Sequence, residues 1–163
     1  MTRILAVGVG NVLKADDGFG VRAAALLAAD PRTPRGVKVI ETGIGGMSLV
    51  QELMDGYGAL VVFDACDHGA APGTLCVFEP DLPDPGEGAA ERRDFFCDIH
   101  YATPERAMRL AEAVGVLPAL VRVVGCQPFD TDDFRIGLHP AVEAATSRAV
   151  DLALSLFEDI RRA

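Results

Sequence analysis

The sequence predicts an α/β protein, a three-layer sandwich in which a twisted, mostly parallel sheet of about five strands has helices on both faces. Apolar runs alternate along the chain with segments of helical periodicity, and right-handed crossovers are expected to join them. The apolar runs are continuous, as in strands buried on both faces. The chain has 163 residues, half of them hydrophobic, which is enough for one domain over residues 1–163.

Each element is assigned from its apolar pattern and its boundary residues. Thr103 as N-cap and Pro104 at the first helical position begin one helix, and Gly115 ends it. The acidic, Pro- and Gly-rich stretch 79–99 is expected to be a long irregular segment with a part in function. The predicted strands are 3–10, 37–42, 58–66, 73–80 (a possible edge strand) and 120–128, and the predicted helices are 17–30, one within 43–56, 103–115 and 139–162.

The charge and composition of the chain argue against several classes of partner. The net charge is −9, and binding to nucleic acid or to anionic lipid depends on Lys and Arg, so neither partner is expected. No apolar run is long enough to span a bilayer, and the first one is interpreted as a buried strand rather than a signal peptide. The four cysteines form no CxxC pair, so a cytoplasmic location is expected.

The segment GVGNVLKADDGFGVR is similar to the glycine-rich turn of a dinucleotide-binding site, with two differences. Gly8 and Gly10 fit the G-x-G-x-x-G pattern, but Leu13 stands at the third glycine position. Asp16 and Asp17 follow at the expected helix start, where the helix dipole stabilises a carboxylate and a phosphate would be repelled. One of the two, taken as Asp16, is expected to cap the helix, so the other is free to face the crevice. The residues alone do not decide which is which.

Two further polar residues follow the same logic. Asp64 comes after five apolar residues at the carboxyl end of the third strand, where open α/β sheets bind ligands. It is interpreted as a site residue, the alternative being a carboxylate satisfied by loop amides. His100 ends the acidic stretch before the third predicted helix, and His139 is interpreted as structural. Oxygen and imidazole ligands at three junctions favour a divalent metal, with Cys97 as an open fourth candidate.

Other hydrolase chemistries find less support in the sequence. It has no G-x-S-x-G nucleophile elbow, no H-E-x-x-H zinc helix and no P-loop. An aspartic-protease site would need two carboxylates that share a proton, and it would leave His100 without a role.

Several motifs together carry a family resemblance over almost the full chain. They are GVGNVLKADDGFGVR, ETGIGGMSLV, VVFDAC followed by APGTL, the His100 junction, VVGCQP and GLHPAVEAA. With these motifs the chain resembles the nickel–iron hydrogenase maturation endopeptidases. The sequence departs from the family pattern at Phe129, where an acid is usual, and in the longer, more acidic segment before His100.

The resemblance implies an activity, a partner and a site. It implies a metal-dependent endopeptidase that removes the C-terminal extension of a nickel–iron hydrogenase large-subunit precursor after nickel insertion, with nickel supplied by the precursor. The family's metal-contacting residues fall on Asp17, Asp64 and His100, and no nucleophile is named. The glycine-rich loop Gly43, Ile44, Gly45 and Gly46 is expected to bind the cleaved segment, with Glu41 as a second candidate.

Two other functions stay open at this point. One is a nickel-binding chaperone or sensor without cleavage, and the other is a nucleotide-binding α/β enzyme, which Leu13 and the paired acids oppose. Nickel could polarise the scissile carbonyl, supply a hydroxide, or act only as a recognition mark.

Overall fold

The computed structural model describes residues 2–97 and 103–163. Within these two ranges, five strands and five α-helices follow one another, and a 3-10 turn, Ala15–Gly18, precedes the first helix. The strands are β1 (Ile4–Val9), β2 (Val37–Gly43), β3 (Ala59–Ala65), β4 (Leu75–Phe78) and β5 (Leu120–Cys126). The helices are α1 (Phe19–Ala29), α2 (Gly46–Leu53), α3 (Ala89–Cys97), α4 (Pro104–Ala113) and α5 (Pro140–Arg162).

The strands form one sheet in the order β2-β1-β3-β5-β4. Strands β2, β1, β3 and β5 run parallel to their neighbours, and β4 pairs antiparallel with β5 at the edge. The fold class and the edge strand predicted from the sequence are therefore confirmed. Because the parallel strands end at the same side of the sheet, the loops after β1, β2 and β3 all lie at this carboxyl edge.

Alternate residues of each central strand belong to two separate cores. In β1, Ile4 and Ala6 pack with helices α1 and α5, whereas Leu5 and Val7 pack with α2 and α4. All four residues are fully buried. The apolar run of β1 is continuous for this reason: each face of the sheet is covered by a helical layer.

Helix α1 lies unusually close to the sheet. A Cβ atom on Gly8 would lie 2.3 Å from the Gly20 carbonyl oxygen, and one on Gly20 would lie 2.2 Å from that of Phe63. Two glycines of the opening motif therefore have a packing role, since only glycine leaves room for the backbones to meet. At Gly20, α1 lies against the backbone of both β1 and β3, since a Cβ there would also lie 2.3 Å from the Val9 carbonyl oxygen.

The structure corrects two predicted boundaries. Residues 79–99 are not irregular throughout, because α3 occupies Ala89–Cys97. The helix predicted from residue 17 begins at Phe19, because a 3-10 turn carries Asp16 and Asp17. The start of α4 is as predicted, with the Thr103 side chain accepting a hydrogen bond from the Arg106 amide.

Across residues 2–97 and 103–163, none of the helices has both the length and the apolar character that crossing a membrane requires.

Candidate functional site

A cleft of about 540 Å³ opens at the carboxyl edge of the sheet. It lies between the loops that follow β1, β2 and β3 and the first turn of α4. Two of the three predicted metal-contacting residues, Asp17 and Asp64, line it together. The full lining is Val9, Gly10, Asn11, Asp17, Thr42, Gly43, Ile44, Gly46, Leu49, Asp64, Ala65, Thr103, Pro104, Glu105 and Ala107.

The turn after β1 holds Asp17 by a backbone contact. Gly10 has a φ of 119°, and a side chain there would collide with the Asp17 carbonyl oxygen. The chain therefore folds back sharply, and the Asn11 amide donates a 2.7 Å hydrogen bond to the Asp17 carboxylate. In a dinucleotide site such an amide would be available to a phosphate. Here Asp17 occupies it, which further opposes nucleotide binding.

Asp64 is largely buried at the end of β3. Loss of hydration, together with the nearby charges of Glu105 and Asp17, raises its pKa to about 8, and a hydrogen bond from the Ala65 amide opposes this rise only in part. The Ala65 amide is thus one backbone amide that contacts this carboxyl group, and it does not offset the cost of burying the charge. A carboxyl group with so high a pKa binds a proton or another cation in preference to remaining an isolated charge.

Glu105 is a cleft residue that the sequence analysis missed. It lies in the first turn of α4 and faces the cleft, where its charge contributes to the raised pKa of Asp64. The helix start at Thr103 and Pro104 was recognised, but the position of α4 against β3 depends on tertiary packing. The described part of the cleft is thus lined by three carboxyl groups.

Asp16 has a different role from the helix cap assigned to it. The side chain is fully buried, and Gly18, not Asp16, stands at the N-cap of α1. Its carboxylate accepts hydrogen bonds from the backbone amides of Phe129, Asp130 and His139, more than a hundred residues away. Asp16 therefore ties the loop between β5 and α5 to the turn after β1, and Asp17 is the one that faces the cleft.

A second buried polar residue, Gln127, fixes the loop after β3. Its side-chain oxygen accepts from the backbone amides of His68 and Ala70, at 2.8 and 3.3 Å. Its side-chain nitrogen donates to the Asp67 carboxylate at 3.0 Å. The VVGCQP motif thus holds the segment that follows Asp64 in the chain.

The predicted peptide-binding loop lies only partly in the cleft. Gly43, Ile44 and Gly46 line it, whereas Gly45 and Glu41 are not among the lining residues. Glu41 is exposed on β2, and Ile44 keeps 66% of its surface exposed although it is apolar. An exposed isoleucine at the mouth of a cleft is available to a ligand.

Of the two remaining candidate ligands, His100 and Cys97, the structure describes one. His100 lies outside the described residues, and Cys97 is exposed at the end of α3. Within the described ranges, no group of three His, Cys, Asp or Glu side chains is arranged to hold a metal ion. His139 acts as the N-cap of α5, since its Nδ1 accepts a hydrogen bond from the Ala141 amide at 3.2 Å.

The fold and the cleft define a class of protein: an α/β sandwich with a carboxylate-lined cleft at the carboxyl edge of its parallel strands. A family model described as hydrogenase maturation protease (HycI) matches residues 21–156. The chain belongs to the hydrogenase maturation protease family.

Individual relatives agree with this assignment. The chain is 36% identical over 156 residues to the hydrogenase expression/formation protein HupM of Azotobacter chroococcum, covering 96% of this chain and 72% of the relative. Its fold is similar to the hydrogenase maturating endopeptidase HybD of E. coli, with a TM-score of 0.76, 28% identity and coverage of 96% and 93%. It is also similar to the [NiFe] hydrogenase maturation protease HybD of Thermococcus kodakarensis, with a TM-score of 0.68, 25% identity and coverage of 94% and 98%.

Proposed function

We propose that this protein is a nickel-dependent endopeptidase that removes the C-terminal extension of a nickel–iron hydrogenase large-subunit precursor after nickel insertion. The family assignment and relatives named as maturation endopeptidases support the peptidase activity. A relative named as a [NiFe] hydrogenase maturation protease supports this class of precursor. The reaction is proposed to take place in the cytoplasm.

The observation that carries the nickel proposal is the pair of carboxyl groups in one cleft. Asp17 and Asp64 both line it, and burial together with neighbouring negative charge raises the pKa of Asp64 to about 8. A divalent cation relieves this repulsion, and carboxylate oxygens are suitable donors for it. His100 is proposed as the third contact because the family resemblance places the histidine there.

The donor set of the described residues also suggests where the nickel comes from. Asp17 and Asp64 lie on two separate segments, His100 would add one ligand from a third, and such a dispersed set is proposed to hold an ion only weakly by itself. Nickel already bound in the precursor would bring ligands of its own, so the ion is part of the substrate. Asp17 and Asp64 then recognise the loaded precursor and orient its cleavable segment beside the glycine loop.

A cleavage assay on two forms of the precursor tests this proposal. The purified protein is expected to contain little bound metal by elemental analysis. It should shorten nickel-loaded precursor without added metal, as read by intact mass spectrometry, and leave nickel-free precursor uncut. Binding of loaded precursor without any loss of mass would instead identify a chaperone or sensor. Stoichiometric metal in the isolated protein with cleavage of nickel-free precursor would assign the ion to the enzyme.

Ile44→Ser is expected to weaken peptide binding. Ile44 lines the cleft with 66% of its surface exposed, so the substitution removes an apolar contact that forms only with substrate. Loss of about 1–2 kcal/mol of apolar burial should raise the KM for precursor roughly five- to thirtyfold with kcat little changed. The thermal midpoint should stay within about 1 °C of that of the parent protein.

Met54→Ser is the matched control for Ile44→Ser. Met54 is also 66% exposed but does not line the cleft. The KM of the Met54→Ser variant for precursor should equal that of the parent protein. An equal rise in KM for both variants would show that replacing any exposed apolar side chain by serine has this effect. Ile44 would then not be assigned to the binding site.

A further inference from the structure

We infer that Asp16 is a positioning residue, and that residues 129–139 act through it as a buttress segment that sets the place of the Asp17 carboxylate. The buttress segment is the loop between β5 and α5, from Phe129 to His139. The inference rests on the proposed function only where activity is concerned, because the placement of Asp17 is a property of the free protein.

The first observation is the complete burial of Asp16 together with its bonding. One carboxylate oxygen accepts from the amides of Phe129 and Asp130 at 2.8 and 3.1 Å, and the other accepts from the amide of His139 at 2.6 Å. The side chain has no exposed surface. Both oxygens are thus engaged by backbone donors from the two ends of the buttress segment, so these ends cannot shift without moving Asp16.

The second observation is the conformation of the turn itself. Ala15, directly before Asp16, has a φ of 46°, a left-handed conformation that is unfavourable for alanine. Two backbone bonds hold it there: the Ala15 amide donates to the Arg135 carbonyl at 2.9 Å, and the Asp16 amide donates to the Asp130 carbonyl at 3.0 Å. A strained residue persists only where its surroundings over-determine it. Here the buttress segment supplies those contacts.

The third observation separates the buttress segment from the cleft. The lining of the cleft includes Asp17 but contains none of the residues 129–139. The segment therefore reaches Asp17 through Asp16 and the turn, without lining the cleft itself. On the far side of the turn, the Asn11 amide donates to the Asp17 carboxylate at 2.7 Å. That amide reports on whether Asp17 is in place.

Asp16→Asn disturbs this arrangement with a minimal change of shape. The asparagine side chain has one acceptor oxygen, and its NH₂ group would face an amide donor in place of the second oxygen. Three buried amides cannot all be satisfied, so the turn should relax away from the buttress segment. Asp17 then loses its defined position.

The test combines an amide spectrum with a processing assay on the full chain. In Asp16→Asn, the ¹H resonance of the Asn11 amide should move upfield, because its bond to the Asp17 carboxylate lengthens. At a temperature where the variant is fully folded, kcat for the nickel-loaded precursor should fall by about ten- to a hundredfold with little change in KM. Asp132→Asn, an exposed aspartate in the same loop, should leave both the resonance and kcat unchanged.

Several outcomes would overturn the inference. In folded Asp16→Asn, an unmoved Asn11 amide would show that Asp16 contributes only to global stability. A moved amide with unchanged kcat would show that the position of Asp17 does not govern processing. If the precursor is not cleaved even by the parent protein, the proposed function fails. The Asn11 amide resonance in Asp16→Asn still tests whether Asp16 positions Asp17.

A measurement on the unmodified protein covers the case in which Asp16→Asn does not fold. Native-state hydrogen exchange under low denaturant should give the amides of Asn11, Phe129, Asp130 and His139 one common opening free energy and denaturant dependence. This result is expected if the turn and the buttress segment open as a unit. Exchange of Asn11 through a separate, lower-energy opening would contradict the inference.

Discussion

Asp64→Asn is expected to abolish processing, with a loss of at least about 10²-fold, and to stabilise the metal-free protein at neutral pH. Activity is lost because asparagine cannot supply the charge that a cation requires. Stability rises because the substitution removes a carboxyl group that burial and the charges of Glu105 and Asp17 make costly to ionise. Opposite changes in activity and stability are typical of a functional residue.

The stability gain depends on pH in a defined direction. The folded protein holds the Asp64 proton up to about pH 8, whereas the unfolded chain releases it near the ordinary value of 3.8. The parent protein therefore loses stability as pH rises between these values, and the asparagine variant does not lose this contribution. The gain should be near zero at pH 3.5 and reach the order of 2–4 kcal/mol by pH 8.

Urea unfolding of metal-free protein at several pH values measures this gain. Asp132→Asn, which neutralises an exposed aspartate, serves as the control and should stay within about 0.5 kcal/mol of the parent protein at every pH. A stability difference for Asp64→Asn that is the same at pH 4 and pH 8 would show that Asp64 titrates normally in the fold. Retained processing would remove Asp64 from the site.

Gly20→Ala is expected to destabilise the protein by about 3 kcal/mol or more. Intrinsic helix propensity alone predicts the opposite, since alanine in a helix is favoured over glycine by about 1 kcal/mol. In the fold, however, the added Cβ would lie 2.2 Å from the Phe63 carbonyl oxygen and 2.3 Å from that of Val9. Backbone atoms cannot move aside as a flexible side chain does, so α1 must lift from the sheet.

The free energy of unfolding in urea, with the slope as a check on two-state behaviour, measures the effect of Gly20→Ala. Gly115→Ala is the control, because a Cβ there meets nothing within 4 Å and only its φ of 78° is unfavourable. It should cost about 1 kcal/mol. A Gly20→Ala protein as stable as the parent would mean that α1 packs less closely than the structure shows.

The strands and most helices could be predicted because their signals are local. Continuous apolar runs identify strands covered on both faces, and the pair Thr103 and Pro104 marks the start of α4 through the chemistry of a helix terminus. Helix α3 could not be predicted, because it lacks such a local signal. Its residues are mostly exposed, so no apolar stripe distinguished it from the acidic stretch around it.

The meeting of Asp17 and Asp64 could also be expected from the sequence. Asp64 lies at the carboxyl end of one parallel strand and Asp17 follows another, and parallel strands end at one edge, so connectivity alone brings the two residues to the same edge. The sequence did not decide between Asp16 and Asp17, and it assigned Asp16 to a local cap. The actual partners of Asp16 lie 113 to 123 residues away, and no local pattern marks them.

By itself, then, the sequence determined the fold class, the order along the chain of the five strands and of the helices other than α3, and the edge of the sheet at which the carboxylates lie. These features depend on hydrophobic periodicity, helix-terminus chemistry and strand direction, which act over a few residues. Tertiary structure alone decided that Glu105 joins the cleft, that Asp16 holds the buttress segment, and that Gly20 must remain glycine. Each of these depends on distances between distant segments, and such distances exist only after the helices have packed against the sheet.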